Sequence, residues 1–165
     1  METNAPASEF RFEKRRAAAA VVTVIGAEPV RGCFFTATGT TRHEGSERIG
    51  DLLNAEPGFF PFETETESRP RTMLFNRAHV ITVEIFDDEA RQDPGYVVAP
   101  RREVSILLSN GQRVTGAVRV YRPEGRNRLS DWTRQPETFR YLETSGSTLL
   151  INAAHIVAVT EGSGS

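Results

Sequence analysis

The sequence predicts an all-β protein: two tandem small antiparallel β-barrels from an internal duplication, each with a short helical turn in a long loop. Three observations predict it. First, "VSILLSNGQRVTGAVRV" (Val104 to Val120) reads as a period-two apolar strand, an Asn110-Gly111 turn and a second strand. Asn-Gly between alternating apolar segments is the strongest short hairpin signal. Second, three blocks of the chain recur in the same order. "VVTVIGAEPVRGCFF" lies over the hairpin, with Val30 and Gly32 on Val114 and Gly116. "ERIGDLLNAEPGFFPF" lies over "NRLSDWTRQPETFRYL", setting Arg48 on Arg128, Asp51 on Asp131, Pro57 on Pro136, Phe60 on Phe139 and Phe62 on Tyr141. "MLFNRAHVITVEI" lies over "LLINAAHIVAVTE", with Asn76 and His79 on Asn152 and His155. A period of about 80 residues exceeds solenoid repeats and suits two copies of a small domain. Third, Gly32 and Gly116 each interrupt a strand, which marks a sharp barrel bend or the close approach of another backbone.

The elements follow in order. Residues 1–16 form a polar head in which "FRFE" alternates as an edge strand does. The first barrel covers residues 17–86 and the second residues 104–161. In each, a hairpin is followed by a polar excursion, "TATGTTRHEGSE" or "YRPEGRN", leading into "RIGDLLN" or "RLSDWTR". The Leu and Trp spacing there suits one helical turn capping an open barrel end. Strands return over residues 58–64 and 138–144, then over 72–85 and 147–160. Between the copies, residues 87–103 carry charge, Pro94-Gly95 and Pro100, as a linker does, although "GYVVAP" also fits a strand. Residues 162–165 read as a flexible tail with the composition of an expression scar.

Composition narrows the function classes. The chain has 165 residues, 38% of them hydrophobic, enough to bury a core of this size. With 20 basic and 22 acidic residues it has no bulk attraction to nucleic acid or to an anionic membrane. Only Lys14 among the basic residues is a lysine, and arginine is the better residue for bidentate and stacked contacts. The single cysteine, Cys33, excludes an intramolecular disulfide and a multi-cysteine metal site, and reads as a small apolar packing residue. No apolar stretch reaches the roughly 20 residues that span a bilayer. "AAAAVVTVIGA" is short, follows a polar start and continues into a strand, unlike a secretory signal. A cytoplasmic location is the resulting expectation.

"VSILLSNGQRVTGAV" and "LLINAAHIVAV" of the second copy resemble the two signature blocks of the Sm-like proteins, most closely the bacterial host-factor RNA chaperones. About half of the second copy and fragments of the first are covered. Small barrels of the SH3 type share a similar pattern. The resemblance implies a small β-barrel and an RNA partner. The chain departs from the family where its members carry a lysine-histidine pair. Here Ala154 precedes His155 and Ala78 precedes His79, so only the histidine is carried over. The excursions between blocks are also longer than typical family loops.

Candidate chemistry is sparse. His79 and His155 stand just before apolar strands and can contact a nucleotide or metal, or sit half-buried at a rim bonded to a neighbouring carbonyl. The rim reading is preferred, because a lone histidine without nearby carboxylates or cysteines lacks the ligand count a metal needs. His43 falls in a polar loop. Asp51 and Asp131 each follow an arginine by three positions, which suits a helix N-cap or a local Arg-Asp pair rather than a general base without a partner. There is no GxGxxG, no P-loop and no GxSxG, so neither a phosphate cradle nor a serine nucleophile is expected. No cofactor and no metal is expected. The arginines at 119, 122, 126, 128, 134 and 140, beside Tyr121, Trp132 and Tyr141, form a locally basic, aromatic stretch. The corresponding part of the first copy, "ETETE" at residues 63–67, is acidic. These features predict a non-catalytic binding or scaffold module that engages a protein through its loop excursions, with contacts at Tyr121, Arg122, Arg126, Arg128 and Trp132. RNA binding through the same basic face is the alternative, and self-association is open to the unpaired strands.

Overall fold

A computed structural model describes residues 15–37, 47–65, 68–120 and 128–162. The protein is all-β: ten antiparallel strands form one sheet. The first five are β1 (Arg15–Val24), β2 (Val30–Ala37), β3 (Phe59–Thr64), β4 (Arg71–Asn76) and β5 (Val80–Ile85). The second five are β6 (Arg101–Leu108), β7 (Arg113–Arg119), β8 (Phe139–Glu143), β9 (Thr148–Asn152) and β10 (Ile156–Glu161). Helices are short: α1 (Ile49–Ala55), α2 (Pro94–Val98) and α3 (Leu129–Thr133). None among the described residues is long and apolar enough to cross a membrane.

Strand order is β10-β6-β7-β8-β9-β5-β1-β2-β3-β4. Each half therefore places its last strand beside its first and its fourth at the far end. A seam, the β5–β9 ladder, joins the halves, pairing Thr82 with Ile151 and Val83 with Leu150. The sheet is not closed, and β10 and β4 are its two edges.

Local chemistry explains the elements. The β6–β7 turn is built on Gly111, at φ +84°. A Cβ on Gly32 would stand 2.0 Å from the Glu63 carbonyl oxygen, and one on Gly116 would stand 2.2 Å from that of Glu143. Both glycines thus let a second backbone approach. Asp51 and Asp131 sit at the third position of α1 and α3 rather than at the cap. Each carboxylate reaches back to accept from the preceding arginine's backbone N–H, at 3.1 Å from Arg48 and 3.0 Å from Arg128. That is one half of a capping box.

Two expectations shift. "GYVVAP" is not a strand: Asp93 Oδ1 accepts from Gly95 N at 2.9 Å, Pro94 takes the first helical position, and the stretch winds into α2. A 3₁₀ turn, Glu89–Gln92, precedes it, and Glu89, Ala90 and Ala99 are buried, so this connection packs on the sheet instead of hanging between the halves. The match of Phe60 to Phe139 is displaced by one residue. The ladders set Asn76 opposite Phe59 and Asn152 opposite Phe139. Phe59 is therefore the positional counterpart of Phe139, and Phe60 that of Arg140. A one-residue slip moves every side chain to the other face, so the difference is physical and not cosmetic.

Two core clusters interlock at the seam. The first holds Phe34, Phe60, Phe62, Phe75, Leu53 and the inward residues of β1 and β5, and it also takes Phe139 and Leu150 from the second half. The second holds Val104, Ile106, Leu108, Trp132 and Leu142, and it takes Ile81 from β5.

Candidate functional site

A cavity of about 420 Å³ opens beside the seam, where α1, α2 and the α3–β8 connection meet. Its walls include Arg48, Asn54, Tyr96, Trp132, Arg140 and Tyr141. The seam itself is stitched at this point. Asn54 of α1 donates to the Phe139 carbonyl at 3.0 Å and accepts from the Phe139 N–H at 2.8 Å, as a paired strand residue would.

Most polar groups around the cavity are committed to structure. Arg140 donates to the carbonyls of Glu137, Trp132 and Gln135 and lies over the Trp132 ring, 5.3 Å from its centroid. Burial pulls its guanidinium pKa down. Arg119 donates to Glu143 at 2.9 Å and covers the Tyr96 ring. Burial pushes the Glu143 carboxyl upward, but the hydrogen bond and charge of Arg119 outweigh it and hold that carboxyl below its ordinary range. Tyr96 meets Tyr141 edge to face, with ring centroids 5.8 Å apart.

Behind this wall lies Glu89, only 2% exposed. Its Oε2 accepts from Gly50 N at 3.2 Å and from the Tyr141 hydroxyl at 3.3 Å, while Oε1 has no hydrogen-bond partner. Desolvation pushes its pKa up to about 7, with help from the charges of Asp87 and Asp51 and against the two hydrogen bonds. Burial and the Glu89 charge raise the Tyr141 hydroxyl in turn. Two donors of cavity-wall residues are buried without a hydrogen-bond partner, Arg48 Nε and the Tyr96 hydroxyl.

The sequence-predicted contact residues are divided. Tyr121, Arg122 and Arg126 lie outside the described residues, as does His43. Arg128 is exposed at the start of α3. Trp132 is 1% exposed and belongs to the second core, so its ring is not a stacking surface; the helix turns it inward because Leu142 and Val120 supply the apolar floor. His155 is half-buried, its Nε2 2.7 Å from the Ala78 carbonyl across the seam and its Nδ1 2.7 Å from Ser109 Oγ. His79 is exposed. Among the described residues no cluster of three or more His, Cys, Asp or Glu can hold a metal. Cys33 is half-buried, and burial beside Glu63 and Glu65 raises its thiol.

Sequence reading missed Arg48, Tyr96 and Glu89 as a group. Arg48 carried a signal in the repeated RxxD, whereas Tyr96 and Glu89 stood in a stretch that read as linker. No family model, curated protein or solved structure matches the chain.

Proposed function

We propose that the chain is a non-catalytic binding scaffold built from two tandem, duplicated small β-barrels of Sm-like or SH3-like type, and that a protein partner docks at the seam cavity. The buried, unpartnered Arg48 Nε in an aromatic-walled cavity carries this reading. A buried donor without an acceptor raises the free energy of the unbound protein, and a partner that supplies a carbonyl or carboxylate relieves it. The cavity has room for one large side chain, the kind of anchor that dominates protein interfaces. The non-catalytic part rests on the carboxylates: Asp51 and Asp131 are spent on helix ends, and Glu89 is shut behind Tyr141. The basic face offers less to RNA than its arginine count suggests, since Arg119 and Arg140 are spent on Glu143 and on backbone carbonyls.

Selection of peptides from a displayed random library on the purified chain tests the reading. Fluorescence polarisation should show binding that falls about tenfold in Arg48→Met, a loss of the size expected for one charged hydrogen bond. Peptide affinity indifferent to that substitution would overturn the site. Binding of short A-rich and U-rich RNAs at about 50 mM salt that disappears near 200 mM, and in Arg128→Ala, would replace the protein partner with RNA.

A further inference from the structure

We infer that the seam cavity takes a carboxylate: the group by which a partner anchors there is an anion held on the buried donors of Arg48 and Tyr96. This rests on the docking reading above and narrows it to one chemistry.

The two donors border the same ring. Arg48 Nε and the Tyr96 hydroxyl belong to the cavity wall, are buried and have no hydrogen-bond partner. Tyr141 meets Tyr96 edge to face, with ring centroids 5.8 Å apart, and the Arg48 charge acts on its hydroxyl. A carboxylate can accept from a guanidinium N–H and from a hydroxyl together, and such charge-assisted bonds are roughly twice as strong as neutral ones.

Charge around the cavity is sorted by depth. Arg140 is only 9% exposed and donates to carbonyls alone, so it brings a buried positive charge whose hydrogen-bond partners are neutral. The acids of the wall do not offset it from within. Glu137, whose charge acts on Arg140, is exposed, as is Asp93, and water screens both. Asp51 turns its carboxylate onto the Arg48 backbone N–H. A cationic anchor is disfavoured by the same wall. Arg119 lies over the Tyr96 ring, 5.6 Å from its centroid, and Arg140 over that of Trp132 at 5.3 Å. The ring faces that would hold an ammonium are therefore already covered by guanidiniums.

Glu89 adds a signature in pH. It lies behind Tyr141 and faces Gly50 N and Asp51 of α1, Asp87 before its own turn and the Tyr141 hydroxyl. As a neutral acid it does not oppose an anion in the cavity; once ionised, as pH rises through about 7, it repels one.

Trp132 is the chain's single tryptophan and part of the wall, so its fluorescence reads occupancy of the cavity. Four probes suffice. N-acetylphenylalanine presents a chain-end carboxylate and N-acetylglutamic acid α-amide a side-chain one, while N-acetylphenylalaninamide and N-acetylglutaminamide are their neutral controls. At least one acid should give a saturable change in emission, with its control binding about tenfold more weakly, and Arg48→Met should remove that difference. Whichever acid binds names the source of the carboxylate. Its affinity should fall about fivefold between about pH 6 and about pH 8, and Glu89→Gln should abolish the fall. Neutral controls that bind as tightly as the acids, or an affinity that does not fall with pH, would overturn the proposal. Silence from both acids, on a chain that still binds library-selected peptides through Arg48, would overturn it too and leave docking at the cavity standing. Selected peptides indifferent to Arg48→Met remove the docking site and the carboxylate together.

Discussion

The two halves hang a short helix on the same ladder arrangement with opposite choices of core. In the first, four phenylalanines pack together: Phe34 stacks on Phe60 at 5.2 Å and meets Phe62 edge-on at 5.1 Å, with Phe75 behind both. The clamp on the helix end comes from outside this cluster. Arg77, in the turn after β4, donates to the Leu52 and Phe59 carbonyls at 2.9 Å each and lies over the Phe60 ring. In the second half the ladder position of Phe60 is taken by Arg140, which clamps the end of α3 from within the strand, and the aromatic volume comes instead from Trp132. The difference teaches that the fold needs two things in each half, a large ring under the helix and a cation on the helix-terminal carbonyls, and does not fix which residue supplies them. Those carbonyls have no intrahelical partner, so some donor must come.

The deepest contrast lies in the phenylalanine cluster. Phe34→Ala removes a fully buried ring with two aromatic neighbours and should cost about 4 kcal/mol in urea unfolding. Its form matters as much as its size. Since Phe139 and Leu150 of the second half complete the first core, a single transition should shift to lower urea rather than split in two. Two transitions, with only one moved, would show that the halves unfold as separate bodies and that the interlocked cores add little.

Glu89 measures the contact between the halves by pH. Its native pKa, about 7, lies above the ordinary carboxylate value of 4.5, so the folded chain holds this proton more tightly than the unfolded one. The stabilising contribution is complete below pH 4.5, falls as pH rises through the window from 4.5 to 7, and is absent above it. Glu89→Gln should abolish that slope, since an amide oxygen can still accept from Gly50 N and Tyr141. It should stabilise the chain at pH 8 by about 3 kcal/mol, the free-energy equivalent of the shift, and leave it nearly unchanged at pH 4. Equal effects at the two pH values would mean that the carboxyl is hydrated in solution.

The strands of both halves were legible in the sequence because the Asn-Gly turn, Gly32 and Gly116 are local devices whose steric demand fixes the residue. The end-to-end joining of β5 to β9 was not. β5 (VITVEI) and β9 (TLLIN) are largely apolar without a clean alternation, and nothing in "HVITVEI" says that Ile81 faces a different core from Val80 and Val83. Of the cavity wall, Arg119, Trp132, Arg140 and Tyr141 stood out as a basic, aromatic stretch and Arg48 and Asp51 through the repeated RxxD, but nothing in the sequence brought the two groups together. Tyr96 and Glu89 owe their roles to α2 folding back on the seam, and a five-residue helix between a proline and two valines has no periodicity to read. Trp132 was misplaced for a related reason. Among arginines it reads as a stacking residue, yet Arg140 lies over its ring as packing.

The arginine clamps give the smallest contrast and the most direct test of the comparison. Arg140 satisfies three carbonyls and Arg77 two, and the second of Arg77's carbonyls belongs to Phe59, at the exposed end of the β3–β4 ladder, where water can replace the donor. A buried acceptor stripped of its donor costs more than one that rehydrates. Arg140→Met should therefore destabilise by about 2 kcal/mol and Arg77→Met by about 1 kcal/mol, read as midpoint shifts in urea with an unchanged slope. Equal shifts for the two variants would show that the Phe59 carbonyl is as shielded from water as the carbonyls that Arg140 holds.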